Sequence, residues 1–375
     1  MAEGATSTGV RVPFLDLGPS HEPLKASILE AIDELIDSNA FTNGPQVEEF
    51  EEAWATYCGT RYCVGVASGL DALRLALLAA GIERGDEVIV PALTFAATFE
   101  AVTQAGGVPV PVDASERDWE LDVDAVEAAI TPRTRFVMPV HLYGQMVDMS
   151  ALAVVAERHD LTIIEDACQA HGATRDGIRA GTPGRASAFS FYPGKNLGAM
   201  GDAGALVTDD EQLAKRMRAL REHGQTAKYR HDYDGYTSRL DTIQALVLLK
   251  KLPFLDEWNG ERRAIAAQYT DSLRDVGELR LPPVPDGSEP VWHLSVVSTT
   301  DPETLAEYLR SRGIGTGRHY PEPPHLARAF EHLGYRRGEF PVAERLADRG
   351  LSLPVFPGMT EAQADAVIAA VRSFF

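Results

Sequence analysis

From about residue 60 the chain alternates short apolar runs with stretches of helical spacing, and this alternation narrows the possible folds more than any other feature. Residues 62–67, 87–91, 108–112, 135–140 and 161–164 read as strands. Residues 70–80, the stretch running to 105, 122–130 and 149–159 read as helices between them. Strands that are apolar nearly throughout are buried on both faces, so the pattern predicts a mostly parallel sheet covered by helices on each side. Residues 186–191 and 203–208 follow as strands with no helix between them. Helices are expected at 211–222 and at 241–273, the second broken near Pro253. After Pro282-Pro-Val-Pro285 the texture changes. A strand at 291–297 is followed by a helix that Asp301-Pro302 opens, and the capping box Thr360-x-x-Gln363 opens the last helix. The fold class is therefore α/β. A large domain is expected at residues 11–250 and a smaller C-terminal α/β domain at 251–375, with residues 11–40 packed beside the smaller one.

The 375 residues carry a formal net charge of −20. Such a surface repels nucleic acid and anionic membrane, so neither is an expected partner. The N-terminal Met1–Val10 stretch lacks the basic and apolar regions of a signal peptide and reads as a mobile tail. No apolar run approaches the ~18 residues that span a bilayer. Cys58, Cys63 and Cys168 are an odd number in a long chain and read as reduced, which points to the cytoplasm. Cys58-x4-Cys63 has no second pair to complete a zinc site, and no metal is expected.

In an open α/β sheet, ligands collect at the carboxyl ends of the strands. Here those ends carry a consistent set of groups. Ala67-Ser68-Gly69 opens a helix, where a hydroxyl and free N–H groups suit a phosphate; Ser68 alone would read as a plain N-cap. Pro91-Ala-Leu-Thr94-Phe95 offers an aromatic ring to stack on a flat ligand. Ile163-Ile-Glu-Asp166 ends in an acid, with Gln169 and His171 just beyond. Ser190 precedes Phe191-Tyr-Pro-Gly-Lys195-Asn-Leu-Gly198, a lysine held between glycines. Lysine, acid and phosphate cradle together are what pyridoxal 5'-phosphate requires: the lysine forms a Schiff base with its aldehyde and the acid pairs with its pyridine nitrogen. Competing motifs fail. Pro193-Gly-Lys-Asn196 lacks the first glycine and the Ser/Thr of a nucleotide-binding P-loop, no G-x-G-x-x-G follows a strand, and no H-E-x-x-H is present.

These segments resemble the DegT/DnrJ/EryC1/StrS sugar aminotransferases of the fold-type-I pyridoxal phosphate superfamily. The likeness runs through Val12-Pro-Phe-Leu-Asp-Leu17, Phe41-Thr-Asn-Gly-Pro45, Ser68-Gly-Leu-Asp-Ala-Leu73, Gly85-Asp-Glu-Val-Ile-Val-Pro91 and Glu165-Asp-Ala-Cys-Gln-Ala-His-Gly172. It continues through the Lys195 segment, Ser238-Arg-Leu-Asp-Thr-Ile-Gln-Ala245 and Arg318-His-Tyr-Pro321. The resemblance implies that Lys195 anchors the cofactor, Asp166 pairs with its ring nitrogen, Phe95 stacks on the ring and Gln169 bonds its hydroxyl. Ser68, Gly69 and Ser190 would hold the phosphate. It also implies a homodimer whose active sites are shared. The family sends an Asn across the interface to the phosphate; Gly235-Tyr-Thr237-Ser-Arg-Leu-Asp241 has Thr237 in that place. Cys168 stands where Ala is usual.

The Phe-Tyr-Pro-Gly-Lys wording, with His141-Leu-Tyr-Gly144 and His319-Tyr320-Pro321, is similar to members that aminate C3 of nucleotide-linked 3-keto-6-deoxyhexoses. The implied reaction moves an amino group from L-glutamate to a dTDP-3-keto-6-deoxyhexose, in secondary-metabolite or glycan biosynthesis. Lys228 and Arg239 are the expected cations for the diphosphate, and Tyr320 an expected substrate contact. Amination at C4 of a 4-keto sugar is the alternative. Two others are a sugar dehydratase of the same fold, which would carry His in place of Lys195, and a non-enzymatic sensor.

Overall fold

The structure, a computed structural model, describes residues 11–375; the Met1–Val10 segment read above as a tail lies outside the described residues. Strands β1 (Tyr62–Val66), β2 (Glu87–Pro91), β3 (Val108–Val112), β4 (Thr134–Val137) and β5 (Thr162–Asp166) alternate with helices. Strands β6 (Thr174–Arg175) and β7 (Ile178–Arg179) form a small hairpin outside the main sheet, and β8 (Ala186–Ser190) and β9 (Gly204–Thr208) return to it. The seven-stranded sheet has the order β1-β9-β8-β5-β4-β2-β3. Only β9 runs against its neighbours, pairing antiparallel with both β1 and β8. Antiparallel neighbours need no helical crossover, so the chain between β8 and β9 is free to be a loop, and that loop carries Lys195. Because β9 reverses twice, β1 and β8 point the same way as β2 to β5. The carboxyl ends of six strands therefore share one edge of the sheet.

The strands are apolar on both faces because both are covered. Val64, Val66, Val88, Val90, Ile164, Ala188 and Leu206 face the helix Gly69–Ala80 and its Ala72, Leu73 and Ala76. The intervening Cys63, Ile89, Ile163, Phe189 and Val207 face Phe50 and Trp54 of helix Pro45–Cys58 and Leu152 of helix Met149–Arg158. This is the period of two along each strand.

A second core gathers Ile265, Tyr269, Leu305, Val367 and Val371 around the antiparallel strands Ser295–Ser298 and Gly350–Leu353. Thr360 and Gln363 form the capping box at the start of helix Glu361–Phe374. Residues 11–40 divide between the second core and a separate apolar cluster. Val12 bridges Ile314 and belongs to the second core. Helix Lys25–Ser38 instead lays Ile28, Ala31 and Leu35 against Leu246, Val247 and Trp258. The expected break near Pro253 is a 3-10 turn, Leu252–Phe254, between helices Thr242–Lys251 and Leu255–Leu273. The strand expected at 291–297 begins only at Ser295. Trp292 has φ 47°, and the Trp292 carbonyl accepts from the Arg262 guanidinium at 3.2 Å, so the backbone there is spent outside the ladder. Among the described residues no helix is long and apolar enough to cross a membrane.

Candidate active site

A cavity of about 450 Å³ opens at the shared carboxyl edge, and Ser68, Gly69, Phe95, Asp166, Gln169, Ser190, Lys195 and Tyr320 all line it. At one end the helix Gly69–Ala80 points its N-terminus into the cavity. Ser68 caps that helix, its hydroxyl accepting from the Asp71 N–H at 3.1 Å. Ser190 Oγ accepts from the Tyr192 N–H at 3.4 Å. Both hydroxyls act here as acceptors, so their protons remain free to donate to an anion. The capping role and a phosphate-binding role are thus compatible. Gly69 and Leu70 come too early in the helix for their N–H groups to find an internal acceptor. A Cβ on Gly69 would stand 2.6 Å from Ser190 Cβ, and one on Gly204 2.3 Å from the Ser68 carbonyl. Glycine at both positions lets the ends of β1, β8 and β9 close around a small cradle.

Asp166 ends β5 and is only 6% exposed. Its Oδ2 accepts from the Thr98 hydroxyl at 2.9 Å and its Oδ1 from the Cys168 N–H at 3.2 Å. Thr94 and Thr98 pair in turn at 2.8 Å. The carboxylate is held in one orientation with acceptor capacity to spare. Gln169 Oε1 accepts from the Tyr143 N–H at 2.8 Å. That backbone donor fixes the amide so that Nε2 meets the Tyr320 hydroxyl at 3.2 Å, with a second proton still available. His171 is buried beneath the cavity floor. Its Nε2 donates to the Ser190 carbonyl at 2.9 Å, and burial and then Lys195 push its pKa down to about 3, so it props Ser190 as a neutral ring.

Lys195 sits in a turn closed by its N–H to the Tyr192 carbonyl at 2.8 Å. Burial lowers its pKa from the usual lysine value, while Cys168 and Asp166 pull the other way. The net effect is a shift toward the neutral amine, the nucleophilic form. The loop is clamped on both sides. Asn196 Nδ2 donates to Asn259 Oδ1 and to the Val291 carbonyl, each at 2.8 Å. Lys251 donates to the Gly198 carbonyl and lies 3.2 Å from His21 Nε2. Phe95 is 54% exposed and forms a side wall, its ring 5.4 Å from that of Tyr320.

Three expected residues lie elsewhere. Thr237 Oγ1 is 3.2 Å from His223 Nε2 on the surface. Lys228 extends over the ring of Tyr229, itself 83% exposed. Arg239 is paired with Glu222 at 2.8 Å. All three belong to the segment 222–241, and none of them lines this chain's own cavity. Conversely, sequence reasoning missed Thr98, Lys251 and His293. Thr98 lies one helical turn beyond Thr94, a spacing that could have revealed it. Lys251 and His293 carry no comparable local signal.

The site fits pyridoxal phosphate: a phosphate-sized cradle with two free hydroxyls and helix N–H groups, a fixed buried carboxylate, and a desolvated lysine between them. The comparisons agree. Residues 23–372 match the DegT/DnrJ/EryC1/StrS aminotransferase family. The dTDP-3-amino-3,4,6-trideoxy-alpha-D-glucose transaminase of Streptomyces venezuelae is 49% identical, over 97% of this chain and 96% of its own length. The erythromycin biosynthesis sensory transduction protein EryC1 of Saccharopolyspora erythraea is 47% identical, over 96% of this chain and 99% of its own. The crystal structure of S. venezuelae DesV in complex with a ketimine intermediate superposes with a TM-score of 0.95 at 49% identity, covering 97% of this chain and 98% of that one. With its fold and nearly its whole length in common with these proteins, the chain belongs to the DegT/DnrJ/EryC1/StrS aminotransferase family and is a pyridoxal phosphate-dependent enzyme.

Proposed function

We propose that the enzyme moves an amino group from L-glutamate to a dTDP-3-keto-6-deoxyhexose, giving a dTDP-3-amino-3,6-dideoxyhexose. The observation that carries this reading is the cavity itself: Lys195, Asp166 and the Ser68–Gly69 cradle complete in a chain 49% identical to a transaminase named for a 3-amino sugar. Although EryC1 is named a sensory protein, the intact lysine, acid and cradle here favour catalysis over a sensing role.

Each residue then has a task. Ser68, Gly69 and Ser190 hold the phosphate, Gln169 the cofactor hydroxyl, and Phe95 walls the ring. When bound, the cofactor supplies an electron sink and carries the amino group between the two substrates. The Asp166 carboxylate holds a proton at the pyridine nitrogen, through a hydrogen bond of the charge-assisted kind. Lys195 Nζ would anchor the cofactor and, as the amine, would take the proton from the donor Cα. Tyr320, beside Gln169, meets the sugar.

Lys228, Arg239 and Thr237 act in a partner subunit in this reading, the cations on the diphosphate and Thr237 on the phosphate. Two features support a homodimer with shared sites. These three side chains lie off their own cavity. Exposed apolar groups also surround that segment: Tyr229, Tyr233 and Ile243 lie on or beside it, while the backbone N–H of exposed Met200 reaches Gln244. The division near residue 250 into a cofactor-holding domain and a smaller one belongs to the same reading. The free cysteines suit the cytoplasm. The test follows the visible band of the cofactor-loaded enzyme. L-glutamate should bleach it and a dTDP-3-keto sugar should restore it, while Lys195→Ala should show neither change. A band indifferent to both substrates would remove this function.

A further inference from the structure

The amino donor must bring a carboxylate to the bottom of the cavity, because that group is bonded to the carbon whose proton Lys195 takes. The reacting end of a keto sugar carries only neutral groups, and its diphosphate stands a pyranose ring away. Burying a carboxylate without hydrogen bonds is costly. Yet among the described residues no arginine lines the cavity, and the single lysine there, Lys195, is committed to the cofactor. The carboxylate needs another donor.

His293 is half-buried and lines the same cavity, and its ring stands apart from those of four other histidines held within the fold. His141 pairs with Glu165 at 2.9 Å, His171 with the Ser190 carbonyl at 2.9 Å, His319 with Ser352 at 2.7 Å and His325 with Glu344 at 3.3 Å. The His293 ring has no such partner among the described residues, and its Nδ1 is sealed from solvent. The backbone on either side is fixed. The His293 carbonyl accepts from the Arg262 guanidinium at 3.4 Å, and the Leu294 N–H donates to the Tyr143 carbonyl at 3.2 Å. Tyr143 is also the residue whose N–H orients Gln169. The backbone of this cavity-lining histidine is thus held by the strut that orients a cofactor contact, and its ring has hydrogen-bonding capacity unspent.

We propose that His293 binds the α-carboxylate of the amino donor through a ring N–H. This rests on the aminotransferase reading above and assigns the donor end of that site. The charged and titratable groups facing the ring are Lys195, Arg262, His171 and His319. Burial first, and then these neighbours, hold its pKa well below the usual 6.5, so the ring meets the carboxylate as a neutral donor.

Glutarate, a dicarboxylate with no amino group to transfer, separates binding from turnover. Calorimetric titration of glutarate into the cofactor-loaded enzyme should show His293→Leu binding about 10- to 100-fold more weakly than wild type. The rate at which a 3-keto sugar restores the visible band should stay within about threefold. His293→Gln, which keeps an N–H, should recover part of the affinity. Should the leucine variant not fold, the ring resonances of histidine-labelled wild type carry the test: His293 should shift on glutarate addition. Glutarate affinity unchanged in His293→Leu, an equal loss in the sugar half-reaction, or an unshifted His293 ring overturns the assignment. If wild type aminates no keto sugar but still binds glutarate through His293, the function fails and this assignment stands.

Discussion

At the residue scale, the chemistry rests on how few groups each side chain touches. The Asp166 carboxylate has two protein donors, Thr98 and the Cys168 N–H, and every other lone pair is available to the cofactor. Asp166→Asn keeps the shape and removes the charge. Its turnover should fall by two orders of magnitude or more, roughly 3 kcal/mol in the barrier, with little change in folding stability. Thr98→Val leaves the charge and removes one orienting hydrogen bond. It should fall between wild type and Asp166→Asn in rate, because a misaimed carboxylate still favours a protonated ring nitrogen. Steady-state rates and urea unfolding of the two variants check this. A Thr98→Val rate equal to that of Asp166→Asn would mean that orientation, not charge, carries the effect.

At the element scale, the strands were legible in the sequence because burial on both faces leaves unbroken apolar runs, as in Val88-Ile-Val90. Their limits were less so. The strand expected at 135–140 ends at Val137, since beyond it the chain spends its N–H groups singly, Met138 on Ile89 and His141 on Asp166. The site residues that could be read, from Ser68 to Lys195, all follow strand ends, where the fold class itself predicts a ligand. Those that could not be read depend on closure between distant elements. Lys251 meets Gly198 from 53 positions away, and nothing local marks it. It nonetheless clamps the Lys195 loop, and it does so at a cost that titrates. Burial lowers its pKa from 10.5 to about 8. Below about pH 8 the group is charged in both folded and unfolded chains and the burial cost is fully present. Between about pH 8 and 10.5 the unfolded chain holds the proton that the folded one has released, so stability rises with pH. Against Lys251→Met, which lacks the titration, wild type should gain on the order of 3 kcal/mol across that window. Urea unfolding of both proteins at pH 7.5 and 10.5 measures it, and a constant difference would contradict the buried-lysine account.

At the scale of the whole molecule, one chain holds most of a catalytic site while three of its expected contributors do not line it. A dimer with shared sites reconciles the two. Its solution mass should be a dimer or a multiple of one. Thr237→Val should weaken cofactor retention by no more than about tenfold, since one hydroxyl among several phosphate donors contributes about 0.5–1.5 kcal/mol. A monomer with full activity would refute the shared site, and unchanged cofactor affinity would remove Thr237 from it. Which carbon receives nitrogen decides the function. It is tested by presenting the cofactor-loaded enzyme and L-glutamate with dTDP-3-keto and dTDP-4-keto 6-deoxyhexoses side by side, with NMR of the products. Nitrogen at C3 and turnover of the 3-keto sugar are expected; nitrogen at C4, or preferred turnover of the 4-keto sugar, would overturn the C3 assignment.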